Sequence, residues 1–302
     1  MSLIRPVLNR WLRLTEKPLI ARATPHRLRR SLETKSRIFF WPPRGTSFTE
    51  TPLAGRPTTW VNAPEGKRGR DPLILYFHGG GYVFGSPRTH RAMLAQLSRR
   101  TGLPACLPDY RKAPEHPFPA AIEDTIDCYV AAIQPGRPVV IGGDSAGGGL
   151  VLALLHEILR RGLPHPLGTF AFSPLTDMTF SGASFRGNEQ ADVELPATRA
   201  GEMSQMYLRG ADPSNPLASP LFGDFTDAPP VWLVAGDTEI LLDDTRRMAK
   251  RLVARGVNVT CKIEHDLPHV WPILHNLLPE ARATLDQLAI WIRSLSPPPD
   301  ES

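Results

Sequence analysis

The 302-residue chain is 41% hydrophobic and 22% charged, an ordinary balance for a globular protein with a sizeable core. Its formal charge of +5 gathers in residues 1–40, where ten Arg and Lys face two Glu, leaving the remainder slightly acidic. No apolar run approaches the ~20 residues that span a bilayer, Arg5, Arg10 and Arg13 break any secretory core, and no basic run is interleaved with aromatics, which argues against membrane spanning, secretion and nucleic-acid binding.

Residues 1–45 read as an amphipathic segment whose Leu, Ile and Trp pack while its cations stay solvated, a cap with no stable membrane anchoring. Arg37–Trp41 and Pro57–Ala63 are strand candidates for an antiparallel edge. From Leu73 onward, apolar runs at Leu73–His78, Leu103–Pro108, Pro138–Gly142, Gly168–Phe172, Val231–Val234 and Val257–Ile263 alternate with helical periodicity at about 88–101, 118–133, 146–161, 241–255 and 280–295. That alternation predicts an α/β fold, a mostly parallel central sheet with helices on both faces. The rhythm fails once. About sixty residues separate Phe172 from Val231, far more than a crossover needs, and Leu195–Leu208 within them looks helical. The expected organisation is a cap segment at 1–45, core at 46–178, inserted cap helices at 179–215, core again at 216–296 and a disordered tail at 297–302. Cys106, Cys128 and Cys261 lack metal spacing and sit in apolar segments, so they read as buried reduced thiols in a cytoplasmic protein without metal.

Gly143-Asp144-Ser145-Ala146-Gly147 fits G-x-S-x-G, a weak signal alone but a strong one between the apolar run Val139–Ile141 and a helical run. That strand–turn–helix setting is a nucleophile elbow: the tight turn needs small neighbours and lifts the serine hydroxyl clear of the sheet beside a helix N-terminus. His78-Gly79-Gly80-Gly81 ends an earlier strand, where backbone N–H groups can point into a site without side chains in the way. The N–H groups of Gly80, Gly81 and Ala146 are the expected oxyanion donors. His78 and Asp144 read as bracing residues, and Asp109–Glu115 and Ser173–Asp177 as loop scaffolding, the latter bordering an acyl pocket. A general base is expected before the last helix, at His269; His265 lies too close to a strand end, and His275 is expected to enter the final helix. Asp237, Glu239, Asp243 and Asp244 all follow the Val231 strand, and spacing alone leaves the triad acid open among them.

With His78–Gly85, Asp109–Glu115, Gly143–Gly149 and Pro268-His269 in view, nearly the whole chain resembles the bacterial hormone-sensitive-lipase-like esterases of the α/β-hydrolase superfamily. The resemblance implies hydrolysis of short acyl esters without a cofactor, through an acyl-enzyme, under a cap built from the N-terminus and an insertion. Aligning Leu241 with the leucine of the family's acid motif makes Glu239 the triad acid, completing Ser145, Glu239 and His269; Leu267 stands where the family usually has Met. Tyr82, Phe84 and Trp271 are weaker candidates for substrate contact. The expected partner is a small-molecule ester, and a homodimer is compatible with the sequence. The same machinery also suits an amidase or deacetylase, and the same scaffold a non-catalytic small-molecule receptor.

Overall fold

The computed structural model describes residues 2–63, 71–134 and 136–295; the expected tail at 297–302 lies outside them. Eight strands form one sheet in the order β1-β2-β4-β3-β5-β6-β7-β8, with β1 (Phe48–Glu50) and β2 (Thr58–Val61) antiparallel at one edge. The remaining strands, β3 (Leu73–Phe77), β4 (Ala105–Pro108), β5 (Val139–Asp144), β6 (Gly168–Phe172), β7 (Val231–Gly236) and β8 (Val259–Glu264), pair in parallel with one another. The strands from β3 to β7 are buried along their whole length. Continuous apolar runs rather than alternating ones are what a sheet covered on both faces requires.

The crossover helices supply that cover. α3 (Pro87–Thr101) and α9 (Pro279–Leu295) bury Met93, Leu94, Leu285 and Leu288 on one face. α4 (Ala120–Ala132), α5 (Ala146–Arg161) and α8 (Leu242–Ala254) bury Ile122, Leu152 and Met248 on the other. Because every parallel strand points the same way, their C-terminal ends line one crevice, where ligands of open α/β sheets bind.

Above that crevice lie α1 (Ile4–Arg22), α2 (Pro25–Phe39) and α7 (Ala197–Leu208), while a short α6 (Ala183–Gly187) packs against α8. Ile20, Ala23 and Leu28 form a small core of their own against Phe84 and Met203. Not all cations of the arm are solvated. Arg13 donates to the Gln190 and Ala191 carbonyls, Lys17 to those of Glu189 and Asp192, and Arg29 to Glu115 and the Val83 and Ala113 carbonyls. Much of the basic charge thus ties the arm to the insertion and the core.

Three expectations need correcting. Arg37–Trp41 is not a strand: α2, capped by Thr24 and started by Pro25, continues through Phe39, whose ring meets Trp11 edge-on at 6.0 Å. Packing against α1 overrides the β-propensity of Ile and Phe there. Cys261 is exposed, because β8 is the sheet's outer strand and only partly covered. His275 does not enter the last helix; it follows a short 3-10 turn at Trp271–Leu274, with Nε2 3.3 Å from the Trp41 carbonyl oxygen.

Candidate active site

Ser145 sits between the end of β5 and the start of α5 with φ 51° and ψ −120°, a strained backbone for a residue with a side chain. Its N–H donates to the Phe172 carbonyl (2.8 Å) and its own carbonyl accepts from Leu175 N–H (2.9 Å), so β6 holds the turn in place. A Cβ on Gly147 would lie 2.0 Å from the Phe77 carbonyl oxygen, which is why only glycine lets α5 approach β3 so closely.

At the end of β3, Gly80 adopts φ 120°, and a Cβ there would strike the Phe84 carbonyl oxygen at 2.2 Å. Among the described residues, no turn or loop hydrogen bond uses the N–H of Gly80, Gly81 or Ala146. The loop is anchored from below. Asp144 accepts from Gly79 N–H (3.0 Å) and Tyr76 Oη (2.7 Å), with His90 Nε2 3.3 Å away. Burial works against that carboxylate, but His90 and these hydrogen bonds hold its pKa below the usual range. His78 is buried with its ring stacked 4.4 Å from that of Tyr110, a packing position.

His269 follows β8, and its Nδ1 lies 2.6 Å from Glu239 Oε2. Glu239 is itself buried after β7, where its other oxygen accepts from Gly236 N–H (2.5 Å) and Ser173 Oγ (2.8 Å). Its rivals are engaged elsewhere: Asp237 with His265 Nδ1 (2.7 Å) and Asp266 N–H (2.8 Å), Asp243 with Ser184 N–H (2.9 Å), Asp244 with Thr176 N–H (2.7 Å). The outer nitrogen of His269, Nε2, is buried and has no partner among the described residues. Burial acts to lower the His269 pKa, but the Glu239 charge and hydrogen bond, aided by Glu194 and Asp192, raise it to about 9.

Ser145, His269, Gly80 and Gly81 line one cavity of about 360 Å³. Its roof is mostly apolar and comes from α1, α2 and α7, with Leu12, Leu28, Phe39 and Met203 prominent, while Leu175 contributes from the β6 turn. Phe84 lines this cavity. Tyr82 and Trp271, the other two candidates for substrate contact, do not line it. Tyr82 is buried in a stack 3.8 Å from Tyr207, and Trp271 is fully buried with Nε1 on Thr284 Oγ1 at 3.0 Å. Large aromatics are more strongly drawn to packing than to an open wall.

Two features of the site leave no mark in the sequence. Ser173, expected as turn scaffolding, is fully buried at φ 46° with its hydroxyl on Glu239; its positive φ at a strand end carries no sequence signature in a serine. Glu194 lines the cavity, and burial together with the carboxylates of Asp192, Glu16 and Glu239 raises its pKa to about 8 against the pull of His269. An acid in an otherwise ordinary helix-linking stretch gives no sequence cue of this kind. Among the described residues no cluster of His, Cys, Asp and Glu suits a metal ion, and no helix is long and apolar enough to cross a membrane.

The profile of the α/β-hydrolase fold matches residues 74–273. An acetyl-hydrolase of Streptomyces hygroscopicus is 36% identical over 238 residues, 78% of this chain and 79% of the relative. An esterase of Acinetobacter venetianus is 34% identical over 228 residues, 74% of this chain and 75% of the relative. The crystal structure of an esterase from the bacterial hormone-sensitive lipase family superposes with a TM-score of 0.90 at 36% identity, covering 98% of this chain and 99% of that one.

Proposed function

Because the chain belongs to the α/β-hydrolase family, among the bacterial hormone-sensitive-lipase-like esterases, we propose that this carboxylic ester hydrolase cleaves short-chain acyl esters through Ser145, His269 and Glu239. The observation that carries the reading is the hydrogen bond from His269 Nδ1 to Glu239, which leaves Nε2 without a partner in the cavity that holds Ser145.

In the reaction, His269 Nε2 takes the Ser145 hydroxyl proton as Oγ attacks the ester carbonyl. Glu239 fixes the imidazole tautomer and stabilises the imidazolium without itself becoming protonated. The oxygen of the tetrahedral intermediate is received by the N–H groups of Gly80, Gly81 and Ala146, donors already oriented before charge develops. His269 then gives its proton to the departing alkoxide. Water, deprotonated by the same nitrogen, attacks the acyl-enzyme and releases the acid. Residues 1–45 and 179–215 act as the cap that keeps bulk water from the reacting centre. The acetyl-hydrolase relative favours small acyl groups.

The test is hydrolysis of p-nitrophenyl acetate, butyrate and decanoate, with p-nitrophenyl phosphonate labelling. The expected result is turnover that declines with chain length and one phosphonate bound per chain at Ser145. Unchanged turnover in Ser145→Ala refutes the assignment.

A further inference from the structure

Glu194 has no task in the hydrolysis described above. It lines the cavity with Ser145 and His269, and among the described residues no donor is hydrogen-bonded to its carboxyl. Its backbone is well held, since Asp192 Oδ1 accepts from the N–H groups of Glu194 and Leu195, both at 2.8 Å. A carboxylate without a donor among mostly apolar walls is costly to charge unless a partner meets it.

The surroundings say what kind of partner. Three carboxylates, Asp192, Glu16 and Glu239, act unfavourably on the Glu194 charge, and His269 is the cation that opposes them. The other cations of the lining already hold acceptors: Lys35 lies 2.6 Å from both oxygens of Glu16, and Arg199 binds Glu202 and the Ala23 carbonyl, its buried Nε alone having no partner among the described residues. A neutral hydroxyl gains nothing from these neighbouring carboxylates, whereas a cation is drawn by them and lets Glu194 ionise. Proximity to His269 also places the partner, because His269 hands its proton to the leaving oxygen and so faces the alcohol portion of the ester.

We infer that Glu194 receives a protonated amine in the alcohol portion of the substrate, so that the site favours esters of amino alcohols over their uncharged isosteres. Before binding, the carboxyl holds a proton near neutral pH, its pKa being raised to about 8 by burial and the neighbouring carboxylates. Arrival of the ammonium group releases that proton and replaces it with an ion pair inside the cavity. The inference rests on the ester-hydrolase reading and adds the class of alcohol.

The test compares 2-(dimethylamino)ethyl butyrate with 3-methylbutyl butyrate, which have the same shape and differ in charge. Butyrate release is followed at pH 7.5 for the unmodified enzyme, Glu194→Gln and Glu194→Leu. The unmodified enzyme should favour the amino ester in kcat/KM by about tenfold or more, mainly through KM. Both variants should lose that preference, and Glu194→Leu should reverse it. A ratio near one in the unmodified enzyme, or a preference that survives in both variants, overturns the inference while leaving ester hydrolysis standing. Failure to hydrolyse either butyrate or p-nitrophenyl butyrate would instead strike the ester-hydrolase reading and take the inference with it.

Discussion

Asp144, the residue before the proposed nucleophile, accepts a 3.0 Å hydrogen bond from the backbone N–H of Gly79, 65 residues upstream. One side chain therefore sets the spacing between the serine turn and the glycine loop. Asp144→Ala should leave the fold intact but lower kcat on the order of 10²-fold, comparable to losing one oxyanion donor. Steady-state kinetics on p-nitrophenyl butyrate checks this; a drop under about threefold would show that the glycine loop holds its shape unaided.

The triad assignment has a graded signature. Ser145→Ala and His269→Ala should each cost at least ~10⁴-fold in kcat, and Glu239→Gln about 10⁴-fold through the wrong imidazole tautomer. Combined variants should be little worse than the worst single one, because the three groups act as a unit. Additive losses would contradict that.

Ser173 tests how Glu239 is held. Its hydroxyl donates to the buried carboxylate at 2.8 Å. Ser173→Ala should cut kcat by about tenfold with KM unchanged and lift the apparent pKa of His269, since an acceptor left with fewer donors is more basic toward its partner. A Ser173→Thr variant should recover part of the loss. A pure KM effect would refute a positioning role.

The pH profile follows from His269. In the proposed mechanism the base must be neutral to accept the Ser145 proton, so kcat/KM should be lost as pH falls through its pKa. With that pKa raised from 6.5 toward about 9, the acid limb should lie above pH 6.5 in a rate profile. For stability the sign is opposite: the charged His269–Glu239 pair contributes fully below about 6.5, its unfolded value, and is lost as pH rises through about 9. Calorimetry should show Tm falling across that window, and Glu239→Gln should flatten this part of the fall.

The sheet was legible because its strands are buried on both faces, so apolar runs such as Leu73–Phe77 and Gly168–Phe172 stand out without any partner in view. Ser145, Gly80 and His269 stand out as candidates for a related reason: turn chemistry and a fixed chain order leave few places for such residues. Glu239 needed a family resemblance, since four acids follow β7 and only packing decides which one meets the imidazole. What stayed hidden was set by tertiary contact: the α2 helix reaching Phe39 beside Trp11, the Tyr82–Tyr207 stack, and the Glu194 carboxyl in the cavity wall.

At the start of α1, Arg5 donates to the His265 carbonyl (3.0 Å), and Asn9 binds the carbonyl and carboxylate of Asp266 (3.1 and 3.2 Å). The covering helix is thereby clasped to the loop that ends in His269. Admission of a molecule and readiness of the imidazole become mechanically linked: prying α1 loose to widen the entrance also slackens the base. Asn9→Ala should accordingly loosen the cover over the cavity and slow proton transfer together.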